Sequence, residues 1–435
     1  MKYTDLNINF DRPKVWRRPS VDKLPKKGKT FMAVSKERSD FDKLKVTVKD
    51  ELTNVITRNV DASININDIN SKISEICDYY GKAIIATEDV QPGFLLSKTN
   101  KNTLNKKLQG WCSNLINNIP DVIDAKPYGD LIGKFKDVPA FVCMAGPSLE
   151  NNREKLLKAK GKSLIICVDT SLRPLLDIGV VPDICVTHDA NPNGCKFFLS
   201  AEHDFNKNNV QLNDKTETDI GLAYALLNQD KERLNFKYDT LGLFVNYCHP
   251  LTVKAWNGRE KRFYGIYDPS LPVYGVMASA TNYKIKDEKL TPENKGMIIG
   301  GSSVGHVAMY VAIALGCNPI SLLGLDLSYP GGKTYVKGAS NQKEIKEKSS
   351  IMVDSLSGGK VKTNVSMLSY KMVFEQAFPY IIEQNPKLKF YNCTADDKGN
   401  PAGILEVGAE PTSLDWVIDK YCTSEVNFNE REQSK

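Results

Sequence analysis

Short apolar runs that alternate with helix-length connections dominate the middle of this chain, and they constrain its fold more than any other feature. The runs AFVCMA, SLIICV and DICVTHD lie between residues 140 and 189, and the helical segments ENNREKLLKAKG and SLRPLLDIG separate them. Continuous apolar runs are typical of strands that are covered on both faces. Connections of this length join parallel strands through crossover helices. The pattern therefore predicts an α/β fold with a mostly parallel sheet flanked by helices.

The same signals continue towards the C-terminus. The segments LGLFVNY, KGMIIGG, PISLLGLDL and LKFYNCT read as further strands, and SSVGHVAMYVAIALG, KMVFEQAFPYIIEQ and TSLDWVIDKY as helices. Near the N-terminus, INSKISEICDYYGKAI and TLNKKLQGWCSNLINNI have apolar residues at helical spacing, and IPDVIDAKPYGD reads as a linker. These patterns predict four regions: an N-terminal mixed or helical region at 1–135, an α/β core at 136–340 with an insertion at about 196–285, a C-terminal α/β extension at 341–423, and a flexible tail at 424–435.

Composition excludes several classes of protein. The chain has 435 residues, of which 41% are hydrophobic and 25% charged, as expected for a folded chain of two or three domains. Its longest apolar runs are about ten residues, too short to span a bilayer, and no secretory signal is evident, so we expect a cytoplasmic protein. The ten cysteines include no CxxC pair, which argues against a disulfide framework or a zinc site. The net charge of +6 would help an anionic ligand approach but does not indicate nucleic-acid binding.

Small and acidic residues follow the predicted strands. Because ligands of doubly wound sheets bind at the carboxyl ends of the strands, these turns are the candidate site. They are Gly146, Pro147, Ser148 and Leu149 after the first strand, Asp169, Thr170 and Ser171 after the second, His188 and Asp189 after the third, Gly301, Ser302 and Ser303 before a later helix, and Asp326 at the end of SLLGLDL.

Each turn has a physical use at a phosphate or nucleotide site, and each has a plainer reading. Gly146 allows close approach to the backbone, and Ser148 can cap a helix whose free N–H groups attract phosphate. Asp169 lies 23 residues after Gly146, near the spacing of about 20 at which an acid reaches a ribose hydroxyl in dinucleotide folds. Equally, Asp169 could be a helix N-cap, and GPSL and GGSS could be ordinary turns. No GxGxxG, P-loop, HExxH or GxSxG motif occurs at a strand–helix junction, which disfavours the commonest dehydrogenases, NTPases, zincins and serine hydrolases.

Taken in order, four segments resemble the motility accessory factor (Maf) proteins of bacterial flagellin glycosylation. They are AGPSL, IICVDTSLRPLLDIGVVPDICVTHD, GGSSVGHVAMYVAIALGCNPISLLGLDLSYPGGKTYVKG and LKFYNCTADDKGNPAGILEVGAEPTSLDWVI. The similarity covers about residues 130–422, with 196–285 poorly matched. It implies a Rossmann-like nucleotide-sugar-binding core akin to bacterial sialyltransferases. It also implies transfer of a nonulosonic acid from a CMP-activated donor to a Ser or Thr hydroxyl of a protein, with flagellin as one candidate acceptor.

The resemblance also implies roles for the candidate residues. Gly146 to Leu149 would line the nucleotide, Asp169 would meet the ribose beside Thr170 and Ser171, and Gly301 to Ser303 with Asp326 would complete the donor pocket. The chain departs from the family pattern in two places: it has His188-Asp189-Ala190 where Asp-Pro is usual, and Tyr335 where a His commonly follows GGKT. For direct displacement at the anomeric carbon, Asp189 or His188 would be the base, with Asp326 and Tyr335 as the other candidate catalytic groups. Tyr335 or Tyr329 would hydrogen-bond the phosphate, and Lys333 would add positive charge.

Two alternatives stay open from the sequence. The related 6-hydroxymethyl-dihydropterin pyrophosphokinases share the GPSL-like loop, and in such an enzyme Asp169, Asp189 and Asp326 would hold Mg²⁺ on ATP. The extra regions at both ends of the chain favour the transferase, because a protein acceptor could use them. The second alternative is a non-catalytic protein that binds a sugar nucleotide or a partner. The transferase would need no tightly bound cofactor, and the sequence leaves the oligomeric state undetermined.

Overall fold

The computed structural model shows a large parallel sheet covered by helices. It describes residues 94–198, 238–267, 274, 277–278, 281–286, 289–339, 342, 344, 350–395 and 400–433. The strands in these ranges are β1 (Ala140–Cys143), β2 (Leu164–Val168), β3 (Ile184–Thr187), β4 (Leu241–Val245), β5 (Glu260–Tyr267), β6 (Tyr283–Lys286), β7 (Lys289–Pro292), β8 (Met297–Ile299), β9 (Ile320–Leu323), β10 (Ile351–Asp354), β11 (Lys360–Thr363), β12 (Phe390–Asn392) and β13 (Glu410–Pro411).

Within these ranges, nine strands pair in parallel in the order β13-β12-β9-β1-β2-β3-β4-β5-β8. The pairs β6–β7 and β10–β11 are separate antiparallel ribbons. Every residue of β1, β2, β3 and β9 is buried, as the continuous apolar runs predict for strands covered on both faces. The predicted α/β class with a mostly parallel sheet is therefore confirmed.

The described α-helices are α1 (Phe94–Asp124), α2 (Leu149–Asn152), α3 (Asp169–Leu176), α4 (Pro250–Ala255), α5 (Val304–Ala314), α6 (Val365–Gln384), α7 (Leu414–Tyr421) and α8 (Phe428–Gln433). Short 3₁₀ helices span Tyr128–Leu131, Arg153–Lys158, Pro192–Phe197 and Pro330–Gly332. The predicted single helix in ENNREKLLKAKG is thus one α-turn followed by 3₁₀ turns. In the ranges that the structure describes, no helix has the length and apolarity that crossing a membrane requires.

Helix α1 is part of the main core, although its sequence falls in the region predicted as separate. Its side chains Leu108, Cys112 and Leu115 are buried in the same apolar cluster as the sheet. The helix continues through Pro120 to Asp124, so the first half of the predicted linker IPDVIDAKPYGD is helical. Burial of the apolar residues on either side of Pro120 offsets the hydrogen bond that a proline removes from a helix.

The sheet extends across the boundaries that the sequence suggested. Strands β4 and β5 belong to it and fall inside the range 196–285, and β12 falls inside 341–423 yet pairs with β9. The predicted helix INSKISEICDYYGKAI and residues 199–237 of the predicted insertion lie outside the described residues. The domain boundaries stay a prediction.

Within the predicted flexible tail at 424–435, the structure shows helix α8 (Phe428–Gln433). The Phe428 ring packs 5.1 Å from that of Phe135, and the Arg259 guanidinium lies 4.5 Å from its centroid. Glu432 pairs with Arg262, a cation that is itself buried in the core. This aromatic contact and the ion pairs of Glu432 with Arg262 and Arg259 thus hold a segment whose polar sequence shows no apolar periodicity.

Candidate functional site

The turns singled out from the sequence lie at one edge of the sheet, called here the carboxyl edge. Because the nine described strands run in parallel, the residues that follow β1, β2, β3, β8 and β9 all emerge on this side. The chain moves from β1 towards β2 on one side and later returns to place β9 on the other. Strand order therefore reverses between β1 and β9, and such a switch point opens the crevice in which α/β proteins bind ligands.

The loop after β1 and the loop after β9 close on each other at this switch point. The Ser148 amide donates to Oδ2 of Asp326 at 2.8 Å, and the Gly146 amide donates to the Gly324 carbonyl at 2.9 Å. A Cβ on Gly146 would lie 2.6 Å from Asp326 Oδ2 and 2.4 Å from the Gly324 oxygen. The glycine is therefore required by the approach of the two loops.

Asp326 is buried beneath the GPSL loop, with 1% of its surface exposed. Burial raises the pKa of its carboxyl to about 6, and the hydrogen bond from the Ser148 amide opposes that rise. Among the described residues, its Oδ1 makes no hydrogen bond. The carboxylate thus holds two loops together, a role the sequence did not indicate, and its catalytic role stays a prediction.

Two residues of the predicted nucleotide set have packing roles instead. Leu149 is fully buried in the core, and its amide donates to the Gly146 carbonyl. The Ser171 hydroxyl donates to the Cys143 carbonyl at 2.6 Å and accepts from the Val168 amide at 3.2 Å. Both side chains are buried where the strand ends join the helices that follow, and their roles in nucleotide binding stay predictions. Gly146 and Pro147 are half-buried and remain reachable.

Asp169 begins α3 directly at the end of β2. Its Oδ1 accepts from the Thr170 amide at 2.6 Å and from the Thr170 hydroxyl at 3.0 Å. Burial raises the pKa of the Asp169 carboxyl to about 7, the Thr170 hydrogen bonds oppose this, and the negative charge of Asp189 adds to it. The N-cap of α3 is Val168, so the alternative of Asp169 as the cap is wrong.

His188 is held in one tautomer by the tyrosine beneath it. The Tyr264 hydroxyl donates its single proton to the Thr187 carbonyl at 3.0 Å. Its 3.3 Å contact with His188 Nδ1 must therefore be donated by the imidazole, which leaves the lone pair on Nε2. Burial lowers the pKa of His188 to about 4, so the ring is neutral at physiological pH.

Asp189 is exposed at the rim. Its Oδ1 accepts from the Asn191 amide at 2.9 Å, which fixes the turn after β3. Its charge raises the pKa of the phenol of Tyr370 on α6, after burial as the larger cause. Burial raises the pKa of the half-buried Tyr335, and the charges of Asp169 and Asp189 add to that rise. The structure therefore gathers two acids and two phenols at one part of the carboxyl edge.

The GGSS segment leads into α5 beside the end of β1. The Ser303 hydroxyl and His306 Nδ1 lie 2.8 Å apart, and a Cβ on Gly301 would lie 2.3 Å from the His306 Cβ. Ser303 is the N-cap residue, but it makes no side-chain cap hydrogen bond to the first turn. Gly305 lies against Met144 at the end of β1, because a Cβ there would be 3.2 Å from the Met144 sulfur. The start of α5 is thus an anion-attracting helix terminus near the switch point.

The remaining predicted residues lie close by. Ser302 is half-buried, and Lys333 is exposed just after the turn Pro330–Gly332. The Tyr329 hydroxyl contacts the side-chain amide of Asn364. Within the described ranges, no three His, Cys, Asp or Glu side chains form a group that could hold a metal ion, so Asp169, Asp189 and Asp326 do not form one.

Sequence reasoning missed two asparagines of α1 and two tyrosines. Asn114 and Asn118 donate to the loops after β3 and β4, Tyr264 orients His188, and the charge of Asp189 acts on the Tyr370 phenol. The spacing of the asparagines, one helical turn apart in an otherwise apolar helix face, is the one signal that could have indicated them.

The fold is that of a parallel α/β protein whose strand order reverses between β1 and β9. Residues 113–225 match the family model described as 6-hydroxymethylpterin diphosphokinase MptE-like, one of the two families in the predicted resemblance. Among solved structures, the chain is similar to the Maf glycosyltransferase from Magnetospirillum magneticum AMB-1, at 16% identity and a TM-score of 0.43. The alignment covers 74% of this chain but 42% of that one, so this chain spans less than half of its length. No curated protein matches the chain.

Proposed function

We propose that this chain is a glycosyltransferase that binds a CMP-activated nonulosonic acid at the switch-point crevice and transfers the sugar to a Ser or Thr hydroxyl of a protein. One observation carries the proposal: the loop after β1, the loop after β9 and the start of α5 meet beside a cluster of acids and phenols. The bond from the Ser148 amide to Asp326 and the contact of Gly305 with Met144 define that meeting point. The ordered resemblance of four sequence segments to the Maf proteins supports the choice of donor.

The donor would lie with its phosphate at the start of α5. The first-turn N–H groups of α5 lack a side-chain cap, and their partial positive charge would stabilise the departing CMP phosphate. Gly146 and Pro147 line the adjacent loop and are half-buried rather than sealed. Asp169, at the start of α3, would face the ribose.

Asp189 is the proposed general base. The acceptor hydroxyl oxygen would attack the anomeric carbon as the bond from that carbon to the phosphate oxygen breaks, and CMP would leave with the bonding electrons. The hydroxyl proton would pass to the Asp189 carboxylate, which is exposed and held by the Asn191 amide. His188 is half-buried and neutral, so it would support the turn and accept a hydrogen bond through Nε2.

A second candidate function rests on the family match. The model over residues 113–225 is described as 6-hydroxymethylpterin diphosphokinase-like, and this segment contains Asp169 and Asp189. In that enzyme class, the carboxylates would meet Mg²⁺ on ATP, since hard oxygen ligands suit that ion. The two functions differ in the nucleotide they require, and this makes them separable.

Calorimetric titration of the full chain with CMP and CTP, and separately with ATP plus Mg²⁺, tests the proposal. We expect binding of the cytidine nucleotides and no heat from ATP. Transfer from CMP-activated nonulosonic acids to a protein acceptor should then fall about 10²- to 10⁴-fold in Asp189→Asn, the range that a general base supplies. Asp124→Asn, an exposed acid at the end of α1, is the matched control and should retain full transfer.

Two results would count against the transferase, and a third would count against Asp189 as its base. Binding of ATP with Mg²⁺ alone would favour the pyrophosphokinase. No nucleotide binding, together with a tight protein partner, would favour the non-catalytic alternative. Undiminished transfer by Asp189→Asn would remove that residue from the role of base.

A further inference from the structure

Helix α1 reaches the carboxyl edge through two buried asparagines, although the proposed reaction assigns it no role. Asn114 and Asn118 are one helical turn apart and face the sheet, with 8% and 1% of their surfaces exposed. Each side-chain amide has two N–H groups, and each uses both of them on backbone carbonyls of the neighbouring loops.

The four bonds join the loops that follow β3 and β4. Asn114 Nδ2 donates to the Ala190 carbonyl at 3.0 Å and to the Tyr247 carbonyl at 3.3 Å. Asn118 Nδ2 donates to the Asn246 carbonyl at 3.1 Å and to the Cys248 carbonyl at 2.7 Å. Asn114 thus bridges the two loops directly, whereas Asn118 holds both sides of the β4 loop.

Two further contacts strengthen this connection. The Trp111 ring stacks on that of Tyr247, with 5.0 Å between the centroids and 23° between the planes. The Cys248 thiol donates to the Asp189 carbonyl at 3.3 Å. Because Ala190 directly follows Asp189, the carboxylate proposed as base is carried on backbone that α1 holds from one side and the β4 loop from the other.

We propose that Asn114 and Asn118 are positioning residues for Asp189, so that α1 forms one wall of the site. This inference rests on the proposed function for its catalytic part, and on geometry alone for its structural part. A buried carbonyl that loses its donor makes the loop free to move, and a displacement of about 1 Å at a reacting group can cost about a hundredfold in rate.

Asn114→Ala is the variant that tests the proposal, because it removes the one side chain that bridges both loops. Asn117→Ala is the matched control: it is the same residue type on the same helix, but exposed, and its amide donates to the Ser113 carbonyl within α1. Amide hydrogen exchange at Asn191 reports the position of Asp189 directly, since this N–H donates to the Asp189 carboxylate.

We expect Asn114→Ala to exchange the Asn191 amide at least about tenfold faster than Asn117→Ala and the wild type. We expect its kcat for transfer to fall about tenfold to a hundredfold while CMP affinity stays within about twofold, because the bonds of Asn114 go to the loops after β3 and β4 and not to α5. A merely structural defect would lower the folded fraction, and so reduce nucleotide binding capacity and turnover together.

Asn114→Asp provides a second, nearly isosteric variant. Its protonated carboxyl can donate one hydrogen bond to a loop carbonyl, whereas its ionised form can donate none. The kcat of this variant, relative to wild type, should therefore fall as the pH rises. Asn117→Asp should show no such trend.

The outcomes separate this inference from the proposed function. Unchanged Asn191 exchange in Asn114→Ala overturns the positioning role, as does faster exchange with undiminished kcat. If the wild type binds no nucleotide and transfers no sugar, the proposed function fails. The hold of α1 on the Asp189 loop is then decided by the exchange measurement alone.

Discussion

The backbone amide of Ser148 donates a 2.8 Å hydrogen bond to Oδ2 of Asp326, although the two residues are 178 positions apart in the chain. The bond joins the loops on either side of the topological switch point. It gives a buried carboxylate a partner and fixes the start of the GPSL turn. The shape of the proposed donor crevice therefore depends on a contact between the first strand of the sheet and one formed much later in the chain.

Substitutions at Asp326 should separate the loss of this bond from the loss of charge. Asn retains an acceptor oxygen for the Ser148 amide, whereas Ala leaves that buried N–H without a partner. Both remove the carboxylate charge. We expect Asp326→Ala to be less stable than Asp326→Asn by about 1–3 kcal/mol, measured by urea unfolding at neutral pH. Equal stability of the two variants would show that the bond contributes nothing.

Gly146→Ala should destabilise the protein, because its Cβ would meet the Gly324 carbonyl oxygen at 2.4 Å. We expect a loss of about 1–3 kcal/mol in the free energy of unfolding, as for other overpacked sites. Gly110→Ala is the control, since Gly110 lies within α1 and a Cβ there meets nothing within 4 Å. That change should stabilise by about 0.5–1 kcal/mol, because alanine favours the helix. If urea unfolding shows that the two substitutions change the free energy of unfolding in the same direction, the close approach at Gly146 is wrong.

Asp169 should make stability fall as the pH rises. Burial raises the pKa of its carboxyl in the folded protein to about 7, from 3.8 in the absence of burial. A raised carboxyl pKa stabilises the fold below about 3.8, and this contribution is lost as the pH rises through about 7. Asp169→Asn should therefore match the wild type near pH 4 and exceed its stability at pH 8, by about 4 kcal/mol at most.

Urea unfolding at pH 4, 6 and 8 measures the difference in unfolding free energy between Asp169→Asn and the wild type. Asp419→Asn is the control. Asp419 is an exposed acid on α7, so its removal should leave the pH dependence of the wild type in place. A constant difference between Asp169→Asn and the wild type at all three values would contradict the buried carboxyl.

The C-terminal helix offers a fourth test. Phe428 is buried against Phe135 and beneath the Arg259 guanidinium. We expect Phe428→Ala to cost about 3–5 kcal/mol of unfolding free energy and Phe428→Leu much less, because leucine keeps most of the buried volume. Thermal unfolding of the two variants measures this, and a freely mobile tail would make both equal to the wild type.

The sequence was a good guide to the elements and a poor one to their contacts. The runs around Cys143, Cys167 and Cys185 predicted buried parallel strands, because apolar continuity is a local property of the chain. Which way a side chain turns at a strand end is not local. Leu149 and Ser171 stand at the expected edge but point into the core, since the helices that follow must be joined to the sheet there.

Hydrogen bonds between residues distant in the chain could not be predicted from the sequence for the same reason. Asn114 is one of several asparagines in its segment, and only the folded arrangement distinguishes it from exposed Asn117. The polar composition after residue 423 likewise predicted a frayed end, whereas the Phe428 ring and the ion pairs of Glu432 hold part of that segment in place.

The position of β9 between β1 and β12 has a consequence for synthesis of the protein. On the ribosome, β1 emerges with β2 as its neighbour on one side, but its other side stays open until residues 320–323 have been translated. For that interval the nascent chain carries an apolar strand with one unpaired edge, and such edges template aggregation. Translation that stops before β9 should therefore release polypeptides that depend on chaperones or are degraded.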